Sequence, residues 1–351
     1  PPLTATRTLS PGSHMSNLFH PSTIGQSIKH DGHGAVPGIK DEENHWNLRP
    51  HRNRLIHIGK SRLETLARLY DTPGTLPLQA RLPVVHSEEV VSVLEKFAEQ
   101  PRRLSNLEGD YFATTHWNET NAQQNGTIKR ETVYPKDPSE LVLSGPHFFQ
   151  GTLLNKTPNE GCRNNLDYSR VDLSAIDNSY LPRTNYMPSC DIEEYIRRTP
   201  KWDNVPVTNY YRHVHREMVS PTGERTLVAA ICPKNVGHLY TVIGICFKNI
   251  EDLLIYNAMA TSLPVDFFIK TTGVGHINVG MSNLLPLPII SSHLKKNLIN
   301  RILSLNCLTS HFDELLEESG KFFDFYKKDL SVSRTDIERR QNLVELDVLS
   351  S

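Results

Sequence analysis

Residues 223–247 read "GERTLVAAICPKNVGHLYTVIGICF". Inside them, "TLVAAICP" is an unbroken apolar run closed by Pro233, and "LYTVIGICF" is a second. Short apolar runs bounded by turn residues read as buried strands. A helix signal follows in "NIEDLLIYNAMATSLPVDFFIK", capped near Asn249 and broken or kinked at Pro264. This alternation predicts a mixed α/β (α+β) fold. The Arg225–Thr226 pair raises a functional question, because it sets a guanidinium and a hydroxyl at the mouth of the first strand.

Outward from this centre the chain changes character. Residues 1–45 are rich in Gly, Pro, His and Ser without periodicity, and are expected to be a flexible lead-in. From 46 to 103 a helical linker segment is predicted. It has a short strand from Leu55 to Ile58, a helix capped by Ser61, and another capped by Ser87 and stopped before Pro101. Residues 104–290 form an expected loop-rich, β-containing body, with a helix signal at "DIEEYIRRTP" capped by Asp191. Residues 291–351 form a helical tail, in which Ser333 or Thr335 caps "DIERRQNLVELDVL". That helix runs to the last residues and the chain starts at Pro1, so a fragment of a longer protein is expected.

Composition narrows the function classes. Of 351 residues, 38% are hydrophobic and 22% charged, with a formal net charge of −1. No global basic field exists, so binding to an anionic polymer requires a local patch. No apolar run approaches the roughly 20 residues that cross a bilayer, so no membrane association is expected. Five cysteines without metal-ligand spacing predict reduced thiols and a cytoplasmic location.

Catalytic constellations are absent from the sequence. There is no glycine fingerprint after a strand, no Walker lysine loop, no His-Glu-x-x-His, no Cys-x-x-Cys pair and no Gly-x-Ser-x-Gly elbow. The Asp/Asn-Pro-Pro-aromatic tetrapeptide of amino-methylating DNA enzymes is missing too. No catalytic or metal-ligating residue is assigned, and no cofactor is expected on these residues.

Binding chemistry concentrates in two stretches. The first supplies Asn209, Arg212, His213, His215, Arg216, Arg225, Thr226 and Lys234; the second supplies Lys270, Thr271, Thr272, Gly273, His276 and Asn278. An arginine fork fits a phosphate or the O6/N7 edge of guanine, and Asn pairs similarly with adenine. Gly273, Gly275 and Gly280 permit close backbone approach or positive φ. The blander alternative is a surface strand whose Arg216 and Arg225 are neutralised by Glu217 and Glu224, with Asp266 capping or pairing with Lys270.

The segments "RHVHREMVSPTGERTLVAAICPKNVGHLYTV" and "LIYNAMATSLPVDFFIKTTGVGHINVGMSNLLPLP" resemble the C-terminal target-recognition region of type IIG-like restriction–modification proteins, which are adenine-specific DNA methyltransferases. "ARLPVVHSEEVVSVLEKFAEQPRRL", "LSGPHFFQGTLLNKTP", "YLPRTNYMP" and "RRQNLVELDVL" share the likeness, which spans roughly residues 45–349. The resemblance implies a phage-defence module that reads double-stranded DNA. An upstream methyltransferase domain of the same chain would transfer a methyl group from S-adenosylmethionine to adenine N6. The implied DNA-binding residues are Asn209, Arg212, His215, Arg216, Arg225, Thr226, Lys234, Lys270, Thr272, Gly273, His276 and Asn278. The competing expectation is a protein–protein scaffold of a defence complex, docking partners through helices at 61–70, 87–99 and 334–349.

Overall fold

The computed structural model describes residues 12–72, 74–100, 102–220, 222–323 and 330–351. The fold is mixed α/β. The chain divides into two units, residues 1–101 with 271–273, and residues 102–270 with 274–351.

In the first unit, β1 (Gly12–His14) pairs antiparallel with β2 (Ile56–Ile58), Gly12 lying opposite Ile58. Helix α1 (Ser22–Lys29) buries Thr23 and Ser27, which bond to the Leu48 carbonyl and the His51 N–H. The expectation of a flexible lead-in is therefore corrected for residues 12–45, while residues 1–11 lie outside the described residues. The anchors are polar side chains bonding backbone, which leave no apolar period to read. Helix α2 (Lys60–Tyr70) begins after Gly59 rather than Ser61, and α3 (Glu88–Glu99) begins after Ser87 and ends at Gln100. Their apolar faces meet through Leu66, Leu69, Val91 and Leu94, all nearly fully buried.

The second unit joins what the sequence separates at residue 290. Its strands are β3 (Tyr111–Thr114), β4 (Ile128–Val133), β5 (Val142–Leu143), β6 (Lys156–Pro158), β7 (Tyr168–Arg170), β8 (Thr184–Pro188), β9 (Lys201–Trp202), β10 (Val205–Pro206), β11 (Arg212–Arg216), β12 (Ala229–Cys232), β13 (Gly237–His238) and β14 (Val242–Phe247). The central sheet has the order β12-β11-β14-β3 and is antiparallel throughout. Antiparallel pairs β4–β8, β6–β7 and β9–β10 surround it, and β5 pairs parallel with β13. Asp203 and Asn204 close the β9–β10 hairpin with φ of 48° and 66°, the two left-handed positions of a two-residue hairpin turn.

The helices are α4 (Glu119–Gln124), α5 (Ile192–Arg198), α6 (Ile250–Thr261), α7 (Leu263–Thr272), α8 (Val279–Ser282), α9 (Ser292–Asn306), α10 (Asp313–Phe323) and α11 (Asp336–Leu349). Asn249 caps α6, the chain breaks at Ser262, and Pro264 sits in the first turn of α7 where its missing N–H costs nothing. Thr335, not Ser333, caps α11 through a reciprocal bond with Glu338. Residues 324–329 of the predicted helical tail lie outside the described residues.

Strand β12 is a sheet edge whose outward backbone groups are occupied. Asp266 Oδ1 accepts from the N–H groups of Thr226 (2.6 Å) and Leu227 (2.7 Å). Gln150 donates to the Leu227 carbonyl and accepts from the Ala229 N–H. The Gly151 N–H reaches the Ala229 carbonyl, and Asn306 accepts from the Ile231 N–H. Gly151 has a φ of +71°, and a Cβ there would lie 2.9 Å from Leu305 Cβ, so the turn requires glycine.

Candidate nucleic-acid interface

The Arg225–Thr226 pair is a structural device. Its backbone feeds the buried Asp266 carboxylate, while Arg225 Nη2 pairs with Asp347 Oδ2 of α11 at 2.9 Å. Asp347 Oδ1 in turn accepts from the Leu263 N–H at the start of α7. The expected partner Glu224 is thus replaced by Asp347, and Arg225 and Thr226 are corrected as DNA readers: one is ion-paired with its side chain 10% exposed, the other buried. Burial raises the Asp266 carboxyl above the ordinary carboxylate value, against the pull of the two N–H groups and of Lys270.

Strand parity decides the rest. On β11, Arg212, Val214 and Arg216 share one face, and His213 and His215 share the other. The histidines form a directed chain. Asn257 donates to His213 Nδ1 (2.8 Å), His213 Nε2 lies 3.1 Å from His215 Nδ1, and His215 Nε2 reaches the Ile277 carbonyl at 3.2 Å. The carbonyl can only accept, so each imidazole carries its proton on Nε2. Both are wholly buried, which lowers their pKa, that of His215 to about 4. His215 is corrected from a DNA contact to an internal tie, because the strand's alternation turns it into the core. Arg212 is likewise wholly buried, donating to the Val236 carbonyl and Cys232 Sγ.

Of the remaining candidates, His276 lies beside the first stretch, because residues 275–277 run antiparallel to 217–219 through the Ile277 N–H to the Glu217 carbonyl and the Val219 N–H to the Gly275 carbonyl. Lys234 pairs with Glu314 at 2.5 Å, Lys270 with Asp266 at 3.9 Å, and His276 with Glu217 at 2.8 Å. Asn278 caps α8, and Asn209 is exposed at the end of a short turn. Thr272 and Gly273 belong to the first unit, and Gly273 has the expected positive φ (+68°), whereas Gly275 and Gly280 do not.

Arg216 opens onto a cleft. Its Nε donates to the Gly145 carbonyl (2.8 Å) and Nη2 to the Phe148 carbonyl (2.5 Å), so the guanidinium is fixed without a carboxylate. Burial pulls its pKa down to about 10, which leaves it charged at neutral pH. The cleft, about 610 Å³, is also lined by Arg130 on β4, Lys156 on β6, and Arg163, Asn164 and Asn165 in the β6–β7 loop. Against these four cations stands one carboxylate, Glu119. Arg130 holds the loop by donating to the carbonyls of Cys162 and Arg163. Tyr168 and Tyr186 contribute rings, and the Tyr168 hydroxyl is set by Ser144 (2.9 Å) and Asn185 (3.0 Å). No family model matches the chain, and no curated protein matches it.

A second cleft of about 740 Å³ has arginines too, the exposed Arg340 among them, and three of these are engaged. Arg339 donates to the carbonyls of Leu305, Ser333 and Gln150, Arg334 to those of Leu173, Ile176 and Leu308, and Arg170 pairs with Asp336. Arg130, Lys156 and Arg163 are the side chains that sequence reading missed. They come from three separate segments, and the only trace is "IKRE" and "GCRNN", whose cations look like ordinary solvated charge. Among the described residues no group of three or more His, Cys, Asp or Glu could hold a metal ion, and no helix is long and apolar enough to cross a membrane.

Proposed function

We propose that the second unit binds double-stranded DNA through the cleft of Arg130, Lys156, Arg163 and Arg216, as the recognition module of an adenine-N6 methyltransferase or restriction system. The observation that carries this reading is local charge. A chain of net charge −1 gathers four cations around one carboxylate, beside two tyrosine rings and three asparagine amides. Fixed guanidinium forks suit phosphates or guanine edges, and asparagine suits adenine. Arg216 is held before any ligand arrives, which reduces the entropy cost of ordering it. The methyl donor, S-adenosylmethionine, would be held by the methyltransferase domain that this module serves, and the module itself supplies no reacting group.

Fluorescence anisotropy on a labelled duplex tests the reading across about 50–200 mM salt. Lys156→Ala and Arg163→Ala are each expected to lower affinity and reduce the salt slope by about one if they meet phosphates. If one reads a base instead, discrimination at a single position relaxes. A Lys156→Glu/Arg163→Glu protein that binds duplex as wild type does would sink the proposal. The scaffold reading draws on one observation, the exposed Ile337, Val344 and Val348 along α11. It would replace the DNA reading if that double charge reversal were silent.

A further inference from the structure

Beneath the proposed cleft strand lies a buried charge without a counter-ion. Arg212 is wholly inaccessible, and its guanidinium donates only through Nη2, to the Val236 carbonyl and Cys232 Sγ, while Nε and Nη1 have no partner. Its flanking cross-strand neighbours are Cys232 and Cys246. Gly244, the cross-strand partner of Val214, leaves space for the wholly buried His238 imidazole: a Cβ there would lie 2.7 Å from His238 Nε2. His116 stacks on His238 with ring centroids 3.7 Å apart. His238 Nε2 and both ring nitrogens of His116 are also buried without partners.

Five unpartnered polar atoms therefore belong to three side chains, and the charge of Arg212 acts on both stacked imidazoles. An isolated buried ion is strongly unfavourable unless it is paired, and the neighbours provide no negative charge. Burial pushes the Cys232 thiol up, the Cys246 thiol up to about 12, and the Tyr195 phenol up as well, so all three stay protonated. Arg212 also disfavours protonation of His116 and His238. The neutral His238 ring spends its one N–H on the Leu239 carbonyl through Nδ1 (3.0 Å), so its Nε2 only accepts, while the neutral His116 ring carries one N–H with no partner inside the fold. We infer that Arg212 Nε and Nη1, with the N–H of His116, hold a small inorganic monoanion of the halide class inside the second unit. One negative charge balances the guanidinium. This inference does not depend on the DNA reading.

The test titrates chloride against gluconate at constant ionic strength, following unfolding of the full chain and of Arg212→Met and His116→Phe. In wild type, chloride at about 100 times its Kd is expected to lower the unfolding equilibrium constant about 100-fold relative to gluconate. The response should saturate, vanish in Arg212→Met and weaken in His116→Phe, which keeps the stacked ring but loses its donor. Where a variant does not fold, crystals grown in bromide decide. An anomalous peak within hydrogen-bond distance of Arg212 Nε or Nη1 supports the site. Density there without bromide signal means water and overturns it, as does an identical chloride response in wild type and Arg212→Met.

Discussion

At the scale of single residues, position in the strand outweighs chemical identity. Arg212, Arg216 and Arg225 carry the same fork, yet one is sealed, one opens onto a cleft and one ties α11 to the body. Arg225→Ala would strand Asp347 beside the start of α7. A fully buried pair loses roughly 3–5 kcal/mol when broken, and partial exposure here brings the expected loss to about 2 kcal/mol. Urea unfolding should show that loss while duplex affinity stays at the wild-type value; a large affinity loss in a folded Arg225→Ala protein would return this residue to the interface. The sequence told which residues can bind anions, but not which are spent on carbonyls and carboxylates. Glu224 adjoins Arg225 in the chain, and the actual partner lies more than a hundred residues downstream.

At the scale of elements, apolar patterns were legible and polar anchoring was not. The runs at 226–233 and 239–247 contain β12 and β14, and Asn249, Asp191 and Ser87 stand at the helix starts read from sequence. β11 was harder: Arg-His-Val-His-Arg has one apolar residue, and its burial rests on hydrogen bonds that appear only after folding. Those bonds predict acid lability. Folded pKa values of His116, His213, His215 and His238 lie below the ordinary 6.5, with His238 at about 3. The unfolded chain therefore binds more protons below pH 6.5. Their stabilisation is complete above that pH and is lost as pH falls toward the folded values, at about 1.4 kcal/mol per pH unit for each histidine. Denaturant midpoints at about pH 7 and pH 5 should differ accordingly, and a flat profile would mean these rings are solvated. Gly151→Ala tests the turn against α9. Left-handed backbone plus the 2.9 Å approach to Leu305 should cost about 2–3 kcal/mol, read by thermal unfolding.

At the scale of the whole molecule, a near-zero net charge conceals a cleft lined by four cations and one carboxylate, which bulk composition does not disclose. The fold class followed from alternating strand and helix signals. The grouping of residues 102–270 with 274–351 did not, since it depends on contacts such as α6 and α11 against α9 that no local pattern encodes. One consequence concerns how this protein can meet others. Side-chain amides from Gln150 and Asn306, with the Asp266 carboxylate, stand where an additional strand would dock on β12. Growth of the sheet by recruiting a foreign backbone is thereby blocked along that border, including self-templated stacking of copies. Gln150→Leu, similar in volume but unable to bond, should unblock it, giving time-dependent light scattering at concentrations where the parent protein stays clear.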